Sequence, residues 1–210
     1  MKFIVITPPD FIADEARLIR LLFDEGLDTL HLRKPRSTAE ECARLLDDII
    51  ADSRRHGVAP ERRLRRIVLN DHHELCARYG LQGVHLNGRN PSTSLGKPFT
   101  VSASCHSLGE VAERRTTLDY VFLSPIFDSI SKQGYGAAFS PDELAEAAKQ
   151  GLIDQRVIAL GSVDLGRIGI LRKLHFGGAA FLGDVWNRRD APEAFAAHAR
   201  EIAAALHVRE

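Results

Sequence analysis

The feature that most constrains this chain is a regular alternation. Eight short runs of β-branched or aliphatic residues recur along it, and most lead into a longer stretch whose apolar residues keep helical spacing. The runs are Phe3–Thr7, Thr29–Leu32, Ile67–Leu69, Gly83–Leu86, Phe99–Ser102, Tyr120–Leu123, Val157–Leu160 and Ala179–Leu182. The helical patterns are Phe11–Glu25, Thr38–Arg55, Asp71–Tyr79, Ser107–Arg115, Pro141–Gln150, Asp164–Leu174 and Ala191–Leu206. The second opens with Ser37 or Thr38 as N-cap and Glu40 or Glu41 three residues on, a capping-box signature. Asn87–Pro98, rich in Gly, Pro, Ser and Thr, reads as a loop with at most one helical turn.

Strands separated by helices predict parallel pairing, because parallel neighbours need a crossover. Right-handed crossovers repeated along eight strands close into a (β/α)8 TIM barrel. The rival is an open doubly wound sheet, which would carry a glycine-rich loop after its first strand. Here Pro8-Pro9-Asp10 follows instead, so the barrel is preferred. No linker or low-complexity tract interrupts the 210 residues, and the expectation is one α/β domain over 1–210.

Composition narrows the partners. Lys+Arg and Asp+Glu both number 28, so no global field draws the chain to nucleic acid or an anionic membrane. An anionic ligand must be bound by a local site. The three cysteines, Cys42, Cys76 and Cys105, show no metal-ligand spacing and read as buried, reduced thiols. Met1 to Thr7 already reads as a strand, with neither a signal-peptide pattern nor any apolar run long enough to span a bilayer. The expected location is cytoplasmic.

A barrel of this kind keeps its chemistry at the carboxyl ends of its strands. Those ends are polar, cationic or glycine. Arg33 and Lys34 close the second strand, where a guanidinium fork suits phosphate; Arg36 is a weaker candidate. Asp71, after Asn70, is either a cap for the next helix or an oxygen ligand for Mg²⁺. His106 follows the fifth strand with Ser104 and is a candidate general acid/base. His31 and His85 lie in alternating segments that would turn them into the barrel interior. Ser129, Ser131 and Lys132 occupy a loop with Gly134 and Gly136 that suits a cover for phosphate. Gly161, Ser162 and Gly183 follow the seventh and eighth strands, where backbone N–H groups often hold phosphate.

The order of these motifs resembles the family of thiamine phosphate synthases and thiazole tautomerases. The likeness runs through HLRK at 31–34, LNDHHELCARYGLQGVHL at 69–86, SASCHSLGEV at 102–111, DYVFLSPIFDSISKQGYG at 119–136 and VIALGSV at 157–163. It implies binding of thiazole phosphate and, for a synthase, of a hydroxymethylpyrimidine diphosphate with Mg²⁺. In that case Arg33 would contact diphosphate, Asp71 would bind the metal beside Asn70, and Ser129, Ser131 and Lys132 would form the hydroxyl-hydroxyl-lysine set. Gly161 and Gly183 would cradle the thiazole phosphate. A tautomerase would need no metal and no cofactor, with His106 moving the proton.

Three positions depart from the synthase pattern. Asn90 replaces a second metal-binding Asp, Pro35 replaces a lysine, and Ser162 replaces the second of two glycines. The first two weaken the diphosphate half, so the balance tips slightly toward a thiazole tautomerase. The alternatives are a thiamine phosphate synthase, a non-catalytic binding protein with a regulatory role, and a different phosphate-binding barrel such as a sugar-phosphate isomerase. Exposed barrel helices leave a homodimer open.

Overall fold

The computed structural model describes residues 1–127 and 138–208. Ser129, Ser131 and Lys132 therefore lie outside the described residues. Eight parallel strands close into a barrel in sequential order. They are β1 (Lys2–Ile6), β2 (Thr29–Leu32), β3 (Ile67–Leu69), β4 (Gly83–Leu86), β5 (Thr100–Cys105), β6 (Tyr120–Leu123), β7 (Val157–Ala159) and β8 (Gly178–Phe181). Nine α-helices are described around them: α1 (Glu15–Asp24), α2 (Ala39–Arg55), α3 (Glu61–Leu64), α4 (Glu74–Tyr79), α5 (Leu108–Arg114), α6 (Pro141–Lys149), α7 (Ile168–Lys173), α8 (Gly183–Trp186) and α9 (Pro192–His207). None is long and apolar enough to cross a membrane.

Period-two alternation sorts the strand residues between two cores. Phe3, Val5, Leu30, Leu32, Val84, Val121 and Leu123 join the layer between barrel and helices. Ile4, Ile6, Tyr120, Phe122, Ile158 and Ala180 pack inside the barrel. Full burial of a large apolar side chain is worth about 1.5–3 kcal/mol. Along β2 the same alternation turns His31 inward between Leu30 and Leu32, and it is completely buried.

β1 closes the barrel against β8, with Phe3 opposite Ala179 and Val5 opposite Phe181. Trp186, the chain's single tryptophan, braces this seam from α8 by donating its indole N–H to the Ile6 carbonyl at 2.8 Å. Gly83 is required where β4 meets β5, since a Cβ there would lie 2.0 Å from the Thr100 carbonyl oxygen.

Several boundaries differ from the sequence expectation. β5 runs on to Cys105 rather than stopping at Ser102, which makes Ser104 a strand residue. α1 begins at Glu15, not Phe11, because Asp14 adopts left-handed backbone and the Glu15 carboxylate turns back to Lys34. α2 keeps its expected capping box, Thr38 with Glu41. The helix after β3 starts at Glu74, so Asp71 does not cap it. The stretch over 164–174 divides into a 3-10 turn, Leu165–Arg167, and α7. The single-turn helices α3 and α8 have no counterpart in the helical patterns seen in the sequence.

Candidate active site

At the carboxyl ends of the strands lies a cavity of about 680 Å³. Arg33 from the end of β2, Asn70 after β3, Arg89 after β4, Ser104 and His106 at the end of β5, and Arg114 from α5 all line it. Arg33, Asn70, Ser104 and His106 are candidates expected from the sequence, and each sits at or just past the end of its strand. The barrel brings them to one mouth from three different strands.

Below the cavity the barrel is packed with polar and aromatic rings. His31 and His85 meet edge to face with ring centroids 5.1 Å apart, and both lie against Phe122. His31 Nδ1 is 3.1 Å from Asn70 Oδ1, and its Nε2 is 2.7 Å from the Tyr120 hydroxyl. An amide oxygen only accepts, so Nδ1 carries the hydrogen and Nε2 accepts from Tyr120. With its oxygen held this way, Asn70 keeps its NH₂ out of the His31 contact, and the residue lines the cavity. Burial drives the His31 imidazole down to about 3, partly opposed by the Asn70 bond. His85 is likewise pushed well below the ordinary imidazole range, by burial first and by its histidine neighbours next. Its Nδ1 and Nε2 lie 2.9 Å from the hydroxyls of Ser102 and Ser104, respectively. Both rings are neutral and serve as supports for Asn70 and Ser104.

His106 is different. It is exposed, its backbone N–H donates to Glu110 Oε2 at 2.7 Å, and its Nδ1 lies 3.0 Å from the Ser124 carbonyl oxygen. A carbonyl only accepts, so a neutral His106 carries its hydrogen on Nδ1 and keeps a lone pair on Nε2. That is the form a general base needs.

Arg33 is anchored through its backbone, with its N–H donating to Thr7 Oγ1 at 2.9 Å. The neighbouring cations are committed elsewhere. Lys34 is wholly buried and donates to Glu15 at 2.7 and 2.9 Å and to the carbonyls of Pro8 and Asp10 at 3.0 and 2.8 Å. Arg36 is exposed on Asp10 at 2.7 Å. Neither lines the cavity.

Asp71 is the metal ligand expected from the sequence, and its surroundings do not fit one. Arg89 donates to Oδ1 from Nε at 3.1 Å and from Nη2 at 2.9 Å, and to Oδ2 from Nη2 at 3.1 Å. Asn90 Nδ2 adds a bond to Oδ1 at 3.1 Å. Oδ1 is saturated by three donors, Oδ2 already takes one, and a guanidinium charge stands where a divalent cation would have to approach. Among the described residues no group of three or more His, Cys, Asp or Glu side chains is disposed to hold a metal. Asp184 offers no substitute carboxylate, since it pairs with His198 at 2.7 Å and with Arg188 at 3.2 Å.

The turn after β4 explains Arg89. Asn87 Oδ1 accepts the N–H groups of Arg89 and Asn90 at 2.9 and 3.0 Å, while its NH₂ donates to the Asn70 carbonyl. One side chain thus shapes the turn and ties it to the end of β3. Sequence reasoning misses Arg89, although a signal exists: it is the one cation in the turn and adjoins Asn90, the position where a metal-binding carboxylate is lost.

Gly161 and Ser162 follow β7, and Gly183 opens α8 after β8, on the same carboxyl face but outside the lining of this cavity. Gly161 has φ 99°, and a Cβ there would come 2.7 Å from Pro125 Cα, so the chain can pass here only with glycine. Ser162 is also left-handed, with φ 49°.

The closed barrel and the polar, arginine-bearing cavity over its carboxyl ends define a (β/α)8 protein with a cavity where that architecture usually keeps its site. More particularly, the chain belongs to the thiamine monophosphate synthase family, whose model matches residues 3–185. A crystal structure of thiamine phosphate pyrophosphorylase from Bacteroides thetaiotaomicron is 39% identical, superposes with a TM-score of 0.84, and both chains are covered in full. The thiamine biosynthesis bifunctional protein ThiM/ThiE of Symbiobacterium thermophilum is 26% identical over 171 residues, which are 77% of this chain and 32% of that protein. The thiamine-phosphate synthase of Limosilactobacillus fermentum is 27% identical over 109 residues, covering 49% of this chain and 50% of that protein. The chain thus spans half or less of the length of these curated relatives. Thiamine phosphate pyrophosphorylase from Pyrococcus furiosus, at 17% identity and a TM-score of 0.74, shares the fold.

Proposed function

We propose that this family member is a thiazole tautomerase, moving a proton on a thiazole carboxylate phosphate. The observation that carries this reading is the state of Asp71: its carboxylate is bound by Arg89 and Asn90 instead of being open to Mg²⁺. Release of diphosphate needs its developing charge neutralised, which in this family implies the metal. A proton shift needs only a positioned base that returns what it takes.

His106 is assigned that task through Nε2, with the Ser124 carbonyl fixing the tautomer. Arg33, Asn70 Nδ2 and the Ser104 hydroxyl line the same cavity and would hold the carboxylate and ring. Gly161, Ser162 and Gly183 are proposed for the phosphate, with the hydroxyls of Ser129 and Ser131 and the ammonium of Lys132 as further candidate donors to it. No cofactor enters the scheme, and the partner is a small phosphorylated thiazole.

The names of the relatives favour a second reading, a thiamine phosphate synthase that also takes a pyrimidine diphosphate. One pair of assays separates them. Incubation with the thiazole carboxylate phosphate tautomer should give its aromatic isomer, and His106→Ala should slow this about 100-fold with binding kept. Unchanged turnover in that variant removes His106 from the mechanism. Thiamine phosphate formed at more than a trace rate from hydroxymethylpyrimidine diphosphate, thiazole phosphate and Mg²⁺ moves the protein to the synthases. Binding without either turnover makes it a regulatory binder.

A further inference from the structure

Arg89 is not explained by the proton shift. A half-exposed arginine normally extends into water, where an ion pair contributes little. Here the Asn87 turn fixes the backbone on either side of it, and Asp71, with its side chain only 10% exposed, receives two of its nitrogens in a planar fork. Its remaining nitrogen, Nη1, makes no hydrogen bond with the described residues, and the residue lines the cavity shared with Arg33 and Arg114. The local charge matters as well. Three arginines line the cavity against two carboxylates, Glu110 and Glu113, and Glu110 is already engaged with the His106 N–H. Asp71 sits beneath, balancing one guanidinium.

We propose that Arg89 takes the place of a divalent cation, so that this mouth binds the anionic oxygens of its ligand with guanidinium groups and without metal. In this arrangement Asp71 positions Arg89 instead of ligating an ion, and Arg89 Nη1 with Arg33 forms the anion contact. A guanidinium is permanently charged, does not exchange with the medium, and offers directed N–H donors where a metal would offer open coordination positions. The ligand class, an oxyanion that in the function proposed above is the thiazole carboxylate, rests on that reading, and inorganic pyrophosphate serves as the oxyanion probe. The metal independence rests on the Asp71 geometry alone.

The test uses the whole protein, inorganic pyrophosphate as probe, and EDTA. Calorimetric titration should show pyrophosphate binding with EDTA present, weakened about tenfold or more in Arg89→Ala and partly restored in Arg89→Lys. Mn²⁺ titration followed by electron paramagnetic resonance should show no tight site in the wild type. In Arg89→Ala with Asn90→Asp, which leaves two carboxylates facing each other, a bound Mn²⁺ signal should emerge. Pyrophosphate binding that needs a divalent ion, or that Arg89→Ala leaves unchanged, overturns the proposal, as does a tight Mn²⁺ site in the wild type. The two ideas fail separately. Pyrophosphate binding in EDTA without thiazole turnover defeats only the tautomerase, whereas turnover abolished by EDTA and restored by Mg²⁺ defeats only the arginine substitution.

Discussion

His31 shows how one residue can be settled by its neighbours. Between a tyrosine hydroxyl and an amide oxygen it has one tautomer open to it, and burial keeps that ring neutral down to about pH 3. In the unfolded chain the same imidazole takes up a proton near pH 6.5. The unfolded state therefore binds more protons below that value, and native stability falls as pH drops from about 6.5 toward 3. At pH 5 the loss from His31 is about 2 kcal/mol, and His85 adds to it in the same direction. Urea midpoints at pH 7 and pH 5 check this, and His31→Gln should flatten the difference. The inward placement of both histidines was legible in the alternation of β2 and β4. The ties of His31 to Asn70 and Tyr120 were not, since these residues lie 39 and 89 positions away in the chain.

At the scale of elements, Lys34 holds the segment after β1 to the end of β2. Its ammonium directs all its donors at Glu15 and at the carbonyls of Pro8 and Asp10. Burial works against charge on both partners, lowering the lysine and raising the glutamate, and each is retained by the other. Glu15→Gln leaves a buried ammonium without its counter-charge and should destabilise the protein by about 3–5 kcal/mol. Replacing both partners by methionine should cost much less. Equilibrium denaturation of the two variants decides this, and equal losses would show that the charge pairing is not what matters. From sequence, Lys34 stands as a possible phosphate contact because it adjoins Arg33. Successive residues of an extended chain point to opposite faces, and that is why the two part company. Strand positions were readable because β-branched runs mark them. The one-turn helices α3 and α8 were not, because four residues carry too little of a 3.6-residue period to register.

For the molecule as a whole, closure couples every unit to its neighbours. β1 pairs with both β2 and β8, so the ends of the barrel cannot loosen without opening the ring. Trp186, 2% exposed at that seam, is a natural reporter. Its emission and the far-ultraviolet circular dichroism should follow one urea transition. A fluorescence change that precedes loss of helix would mean the seam opens first. The barrel was legible as eight repeats of one pattern. Four cavity residues, Arg33, Asn70, Ser104 and His106, were legible at the strand ends, whereas Arg89 entered only once β3 and β4 were side by side.

The rings of His31, His85, Tyr120 and Phe122 have a further consequence. They stop the barrel like a cork directly beneath Asn70 and Ser104, so nothing passes along its axis. Entry and exit share one door. Should two molecules react here, the one lying deeper must arrive first and depart last, and any compound lodged at the threshold imprisons whatever is already inside.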